Sequence, residues 1–481
     1  MENKSSNKIL DFDIKSLGGI TAGSLQVKPL TLLCGPNNTG KTWAMYAVYS
    51  FLKNIDSYQK IKLPIINELV SDLQKNGSLK LDVYEWLESN FETLIQSVNE
   101  FNKNNLSINF NASDEVFTNT RFDFKTNLEN IKSDLNSTNF SFSFGYGGTS
   151  PRELIHASKK EDGSILTISL MTDAPKDIMY HSVATLIYNV MFSRYGKDAF
   201  LIPAERNGLH LFYKELSNRR TALLHHASRE QFDLKSLLKD VMHSRYAKPI
   251  ADYIDWLNDL NEIKKSSKKT EFHIIAEKIK KLVNGKYHID PDGSIHFISR
   301  KKRGQSDIPK MELHLASSTV KSLFGLWFYL EYQATSNSVL MIDEPELNLH
   351  PSNQRALARL ITEIVNSGVN VIVSTHSDYF VRELNSLIML NSNSEKTANQ
   401  EARKTIERTR DSLMKKYSIS QESLISGDKV NAYLFGDGTL GLMPINKEGI
   451  IATTFDEQIN QLNDSSDEIY YEYVLGLSED C

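Results

Sequence analysis

The chain has 481 residues, of which 40% are hydrophobic and 24% are charged, and its net charge is −5. This composition is typical of a globular protein of about two to four domains, and the overall charge does not indicate a nucleic-acid binder. The only two cysteines, Cys34 and Cys481, exclude a disulfide scaffold and favour the cytoplasm, and the sequence predicts neither a signal peptide nor a membrane span.

A phosphate-binding loop is predicted near the N-terminus, after strands expected within residues 8–33. Residues 35–42 read GPNNTGKT and lie between an apolar run, which predicts a buried strand, and a stretch without breakers, which predicts a helix. Glycines let backbone N–H groups turn toward an anion, and the start of a helix adds partial positive charge. A glycine turn that matches this pattern by chance is expected in roughly one chain of this length in a hundred.

This loop predicts a site for ATP and Mg²⁺. Lys41 would reach the β- and γ-phosphates, and the Thr42 hydroxyl would ligate Mg²⁺. The other residues expected to surround the phosphates are Gly35, Asn37, Asn38, Thr39 and Gly40.

The centre of the chain is predicted to leave the main domain and return to it. Residues 52–140 are polar and have helical spacing, which predicts a helical insertion. Strands and a helix are expected in residues 141–206, ending with the apolar strand 199–202. Glu205 and Arg206 would then lie at the carboxyl edge of a sheet, where α/β proteins bind ligands. A structural ion pair at the end of a strand is the alternative.

Residues 207–310 form a basic segment in an acidic chain, with 21 Lys and Arg against 13 Asp and Glu. Helices are expected there, then a β-hairpin over 287–298 around an Asp-Gly turn, then the basic run 300–303. The excess of positive charge suggests an anionic partner, either nucleic acid or an acidic protein surface. Solvated helix faces would explain the same lysines.

Two adjacent serines, Ser317 and Ser318, stand between a predicted strand end and an apolar helix. A serine at a helix N-cap lies beside free N–H groups, so this position is a second candidate anion site. An ordinary N-cap would have the same sequence.

Two further apolar strands end in residues suited to ATP hydrolysis. The strand within 338–345 ends in Asp343, expected to hold Mg²⁺, and Glu344, expected to act as the base on the attacking water. Adjacent carboxylates in such a place are costly without a cation, which disfavours a simple acidic turn. The next strand ends in His376, whose neutral imidazole is predicted to sense the γ-phosphate, with a core or capping histidine as the alternative.

The tail, 393–481, is predicted to contain a mixed-charge helix, a hairpin over 430–443 and an acidic end. Residues 455–481 include eight acidic residues and no Lys or Arg. They are either a solvated terminal helix or an acidic docking segment.

Taken together, GPNNTGKT, ASSTVKS (316–322), LMIDEPELNLHP and VIVSTHSDYF resemble the ABC-type ATPases of the RecF and overcoming-lysogenisation-defect (OLD) branch. The resemblance covers roughly residues 8–50, 198–206 and 311–390. It implies an α/β fold, namely an ABC-type P-loop ATPase head with a mixed sheet, flanking helices and helical insertions. The head would comprise 1–51, 141–206 and 311–392, the insertions 52–140 and 207–310, and the tail 393–481.

Within that branch, the chain looks like the stand-alone anti-phage ATPases of the PARIS and Septu defence systems. The resemblance implies an ATP-hydrolysing sensor that pairs head to head, so that Ser318 or Ser317 of one copy closes over ATP bound to the other copy. No glycine follows Ser318, unlike the L-S-G-G-Q of transporters, which disfavours a transporter subunit. The implied partners are a separate effector, a Toprim-family nuclease or in Septu an HNH nuclease, and a phage trigger protein such as an acidic DNA mimic. A DNA repair ATPase of the RecF or SMC kind is the alternative.

Overall fold

The computed structural model describes residues 10–136, 139–146, 152–160, 163–192, 195, 198–227, 246–300, 310–391, 400–451, 461 and 463–470. Residues 301–303 of the predicted basic run and most of the predicted acidic end lie outside the described residues. Within these ranges, no helix is both long and apolar enough to cross a bilayer.

The described residues form both strands and α-helices. The strands are β1 (Leu10–Leu17), β2 (Ile20–Val27), β3 (Leu30–Cys34), β4 (Ser78–Asp82), β5 (Arg121–Lys125), β6 (Phe140–Tyr146), β7 (Arg152–Lys159), β8 (Ile165–Leu170), β9 (Ala199–Ile202), β10 (Gly285–Ile289), β11 (Ile295–Ser299), β12 (Met311–Glu312), β13 (Val339–Asp343), β14 (Asn370–Thr375), β15 (Val430–Gly436), β16 (Thr439–Leu442), β17 (Ile445–Asn446) and β18 (Gly449–Ile450). The helices are α1 (Lys41–Asn54), α2 (Pro64–Asn76), α3 (Val83–Asn104), α4 (Leu106–Phe110), α5 (Leu128–Asn136), α6 (Lys176–Phe192), α7 (Arg206–Ala227), α8 (Lys248–Asn258), α9 (Leu260–Ser266), α10 (His273–Leu282), α11 (Ser318–Tyr332), α12 (Pro351–Asn366), α13 (Asp378–Asn391) and α14 (Gln400–Tyr417).

A nine-stranded mixed sheet organises the fold, in the order β5-β1-β2-β16-β15-β3-β14-β13-β9. The last five strands of this order are parallel neighbours, so their carboxyl ends meet at one edge. In β13, Val339 and Met341 join the core on one side of the sheet, and Leu340 and Ile342 join the core on the other side. This two-sided burial explains the unbroken apolar run. The predicted α/β class, a mixed sheet flanked by helices, is confirmed.

The segment predicted as a helical insertion, 52–140, also contains strands. β5 pairs with β1 at the edge of the main sheet, where Phe122 stacks on Phe12. β4 instead joins β6, β7 and β8 in a separate sheet of order β4-β8-β7-β6. We expected the strands at 140–170 to return to the main sheet. They belong to this separate sheet instead. The strands β4 and β5 are short and lie among polar residues. Their alternation of apolar and polar side chains is therefore too brief to identify from sequence.

The hairpin predicted in the tail lies inside the main sheet. β15 is parallel to β3, the strand that leads into the GPNNTGKT loop, and is antiparallel to β16. The side chain of Asn431 and the hydroxyl of Tyr433 both donate to the backbone oxygen of Gln26, some 400 residues earlier in the chain. The predicted hairpin of the tail 393–481 thus contributes two strands to the main sheet, which the sequence does not indicate because its partners are distant along the chain.

Gly325 allows α7, α8 and α11 to pack closely beside the sheet. A Cβ at Gly325 would lie 2.3 Å from the hydroxyl oxygen of Tyr253 on α8. That oxygen lies 2.8 Å from Nε2 of His210 on α7, and both side chains are buried. Burial and the charge of Arg206 lower the pKa of His210 to about 3, so its ring is neutral at physiological pH. The hydrogen bond to His210 thus holds the Tyr253 hydroxyl where a Cβ at residue 325 would lie.

Gly325→Ala is expected to lower the free energy of unfolding by about 1 to 3 kcal/mol, because the new methyl group displaces the buried Tyr253. Urea denaturation at pH 7 measures the change. Gly208→Ala is the matched control: this glycine is exposed on α7, and a Cβ there meets no atom within 4 Å. The free energy of unfolding of this control is expected to rise by up to about 1 kcal/mol, because alanine favours a helix more than glycine does. Equal stabilities of the two variants would contradict the packing described.

Candidate functional site

Four parallel strands bring the predicted site residues to one edge of the sheet. The GPNNTGKT loop follows β3, His376 follows β14, Asp343 ends β13, and Arg206 follows β9 after a short turn. The register pairs Asp343 with Ser374 and Thr375 with Cys34. The carboxyl edge of adjacent parallel strands is the usual location of ligand sites in α/β sheets.

The loop has the backbone geometry of an anion site. Gly35 has φ of +139°, and a Cβ there would lie 2.3 Å from the carbonyl oxygen of Phe435 in β15. Gly40 caps α1 in the left-handed region and offers no side-chain bond to the first helical N–H groups. These N–H groups therefore remain directed at the loop interior. Asn37 and Asn38 are exposed, and the Thr39 hydroxyl donates to Pro36 O at 2.9 Å.

The Lys41 ammonium lies against the loop. Its Nζ donates to the carbonyl oxygens of Gly35 at 2.9 Å and Pro36 at 2.6 Å. Burial lowers the pKa of Lys41, and the neighbouring carboxylates Glu344 and Asp343 oppose that shift. A cation is thus held against the backbone of the loop.

Asp343 and Thr42 form the pair expected to hold Mg²⁺. The Thr42 hydroxyl donates to Oδ2 of the buried Asp343 at 3.0 Å, and Ser374 donates to Oδ1. Burial raises the pKa of Asp343, whereas the two hydroxyl donors lower it. A hydroxyl and a carboxylate are hard oxygen ligands, so the residues present fit Mg²⁺ bound together with phosphate oxygens. Ser374 was not predicted as a site residue.

Glu344 is held in an uncommon backbone conformation. Its φ is +48°, in the left-handed region that non-glycine residues rarely adopt. Its backbone N–H donates to the Ser374 hydroxyl at 3.0 Å, and its side chain is 26% exposed. Such strain is concentrated at active sites. The carboxylate is accessible, unlike that of Asp343.

His376 lies between two glutamates. Its Nδ1 is 3.7 Å from Oε1 of Glu344 and 3.4 Å from Oε1 of Glu346. The buried Glu346 also accepts bonds from the Thr375 hydroxyl at 2.8 Å and from the backbone N–H of His376 at 2.9 Å. Glu346 therefore orients the histidine. Sequence reasoning missed this role, although Glu346 was quoted in the motif LMIDEPELNLHP.

The structure separates the remaining candidates. Arg206 is buried behind Asp343 and Glu344, whereas Glu205 is exposed, so the two do not form the ion pair offered as an alternative. Ser317 caps α11 and its Oγ accepts from Val320 N at 3.4 Å. Ser317 and Ser318 are both exposed. Among the described residues, no hydrogen bond joins either serine to the loop residues of the same chain.

Comparison with known proteins identifies the family. The family model described as "AAA ATPase domain" matches residues 8–381. The match spans well over half of the chain, and the chain therefore belongs to the AAA ATPase domain family. No curated protein matches the chain.

Similar solved structures include three SMC heads. The Smc head domain with an extended coiled coil bound to the C-terminal domain of ScpA, from Pyrococcus furiosus, is 12% identical with a TM-score of 0.34, covering 94% of this chain and 99% of that one. The SMC head domain from Thermotoga maritima is 10% identical with a TM-score of 0.30, and the match covers 91% of this chain and 99% of that one. The SmcHead bound to the C-winged helix domain of ScpA is 12% identical with a TM-score of 0.32, covering 93% and 99%.

Asp343→Asn is expected to stabilise the protein at pH 7 without Mg²⁺. A carboxyl whose pKa is raised by folding binds its proton more tightly in the folded state, so stability falls as pH rises above the ordinary value of 3.8. The neutral amide avoids that loss, and a gain of about 1 kcal/mol in unfolding free energy is expected. Urea denaturation in EDTA measures it.

Asp411→Asn is the control, since that side chain is 69% exposed on α14 and should change stability little. An Asp343→Asn protein less stable than the wild type in EDTA would show that the ionised carboxylate is not a destabilising buried charge.

Proposed function

We propose that the chain is an ABC-type ATPase that binds ATP with Mg²⁺ and hydrolyses it to ADP and phosphate. The observation that carries the proposal is the 3.0 Å hydrogen bond between the Thr42 hydroxyl and Asp343. It joins the loop after β3 to the end of β13, next to the Lys41 ammonium. A cation, a metal-ligand pair and free helix N–H groups are the elements that phosphoryl-transfer sites require.

Each residue has a distinct task in this mechanism. Lys41 and the loop N–H groups hold the phosphates, and Thr42 and Asp343 are the protein ligands that would hold Mg²⁺, which neutralises phosphate charge when bound. Glu344 accepts a proton from the attacking water. His376, oriented by Glu346, donates a hydrogen bond to the γ-phosphate or to that water.

We propose that two copies complete the site head to head. Ser317 and Ser318 are exposed at the start of α11, beside helix N–H groups that favour anions. They make no described bond to the loop of their own chain. The resemblance to ABC-type ATPases implies that the phosphate bound by these serines belongs to a nucleotide held by a second copy.

The wider role that we propose is a sensor and scaffold in anti-phage defence, similar to the ATPase AriA of PARIS systems. The support is the motif resemblance together with the large segments 52–140 and 207–310, which the ATP chemistry does not require. The chain would hold a separate effector, a Toprim-family nuclease, and release it when a phage protein binds. In the related Septu arrangement, with the ATPase PtuA, the effector is an HNH nuclease.

A DNA-binding ATPase of the RecF or SMC kind is the second candidate, favoured by one observation. A cavity of about 550 Å³ between α10 and the β10–β11 hairpin is lined by Lys280, Lys281, Lys286 and Arg300, with Glu277 as an opposing charge. Duplex affinity that falls steeply with salt and rises with ATP would support this candidate over the sensor.

Lys41→Ala and Glu344→Gln separate binding from hydrolysis. Lys41→Ala is expected to weaken ATP affinity roughly 10- to 100-fold, because a charge-assisted bond is lost. Glu344→Gln should keep ATP affinity and lower kcat about 10²- to 10⁴-fold, because the base is lost. Isothermal titration and phosphate release measure the two effects.

Lys60→Ala, at an exposed lysine outside the loop, is the control and should match the wild type. Unchanged ATP affinity and turnover in both site variants would refute the ATPase proposal.

The partner proposal needs a separate test in infected cells. A tagged Glu344→Gln chain should retain ATP and hold its effector, so purification from cells before and after infection should recover a nuclease, and a phage protein only after infection. Recovery of neither would contradict the sensor role while leaving the ATPase proposal intact.

A further inference from the structure

The buried Arg206 guanidinium binds only backbone oxygens among its described hydrogen bonds. Nε donates to Ser322 O at 3.3 Å, one terminal nitrogen to Asp343 O at 2.9 Å and Pro203 O at 3.3 Å, and the other to Glu344 O at 2.8 Å and Pro345 O at 3.3 Å. The planar fork of arginine, with five N–H donors, suits this set of acceptors, whereas a lysine ammonium does not.

These acceptors belong to three separate parts of the fold. Pro203 follows β9, Ser322 lies in the first half of α11, and 343–345 form the end of β13 and the turn that carries Glu344. Arg206 thus fastens α11, the helix that begins at Ser318, to the turn that positions the proposed base.

The Ser322 side chain strengthens the same connection. Its hydroxyl donates to Leu347 O at 3.1 Å, in the turn after β13. Its Oγ also accepts from the Asn207 amide at 3.0 Å, next to Arg206 in α7. Helix α11 is therefore joined to the turn at 343–347 directly through Ser322 and also through Arg206, and Asn207 adds a bond between α7 and α11.

A buried guanidinium is costly, because burial disfavours its charged form. Burial lowers the pKa of Arg206, and the carboxylates of Glu346, Asp343 and Glu344 oppose that shift. A well-packed apolar residue would fill this space at lower cost. The arginine is instead explained by its donors, since no other side chain offers five N–H groups to these five carbonyl oxygens.

We infer that Arg206 is a positioning residue that fixes the Glu344 turn and links the position of α11 to it. This inference rests on the proposed function, in which Ser317 and Ser318 at the start of α11 bind the nucleotide of a second copy. Movement of α11 on that nucleotide would be passed to Glu344 of the same chain. Hydrolysis at one site would then depend on ATP at the other site, which gives cooperative turnover.

Arg206→Lys and Arg206→Met test the inference. Both are expected to keep ATP affinity within about twofold, because Arg206 does not contact the loop, and to lower kcat about 10²-fold through misplacement of the base. The Hill coefficient for ATP should fall toward one. Arg206→Ala should regain activity in guanidinium at a sub-denaturing concentration, but not in matched NaCl or urea.

Ser322→Ala and Arg121→Met complete the set. Ser322→Ala removes only the bond to Leu347 and the Asn207 contact, so a smaller loss of kcat at unchanged ATP affinity is expected even if the Arg206 variants fail to fold. Arg121→Met is the matched control, at an arginine 67% exposed on β5 at the opposite edge of the sheet, and should match the wild type.

A folded Arg206→Met protein with wild-type kcat and Hill coefficient would overturn the inference, as would a loss of ATP affinity equal to the loss of kcat. Hydrogen exchange measured without nucleotide tests the positioning role independently of the ATPase proposal. Faster exchange of the amides of residues 343, 344, 346 and 347 in Arg206→Lys supports the positioning role even if Glu344 proves not to be the base, and unchanged exchange opposes it.

Discussion

The parallel pairing of β3, β14, β13 and β9 is the constraint on which the rest of the site depends. It places four segments, which begin at residues 30, 370, 339 and 199, side by side with their carboxyl ends level. A slip of one residue along β13 would turn Asp343 away from Thr42, because successive side chains of a strand face opposite sides. Because both faces of β13 are apolar, burial alone does not select this register, and the hydrogen bonds from Thr42 and Ser374 to Asp343 are specific to it.

The short motifs were predictable because each carries its own local signal. The loop before α1 and the acidic end of β13 combine an apolar strand with polar residues of unusual type, and these signals lie within ten consecutive residues. The central position of β15 was not predictable, because its partner β3 is 400 residues away and nothing within the hairpin specifies it. The roles of Glu346 and Ser374 were missed for a related reason: their partners are set by the register of neighbouring strands.

Charge is concentrated at this edge, and the charged groups compensate one another. Lys41 and Arg206 lie on either side of the carboxylates of Asp343, Glu344 and Glu346, and burial disfavours the charged form of both cations. Hydroxyls of Thr42 and Ser374 bind the most buried carboxylate. This edge buries charged groups, and the backbone of Glu344 has an uncommon conformation. Residues at such positions are selected by function rather than by stability.

The C-terminal hairpin changes what counts as the ATPase head. The family match ends at residue 381, yet β15 pairs with β3 along its length and Phe435 O lies where a side chain at Gly35 would be. The first glycine of the loop, Gly35, is thus required by the hairpin, because a side chain there would meet the Phe435 carbonyl oxygen. The hairpin is in this sense part of the main sheet and supports the loop from the side of β15.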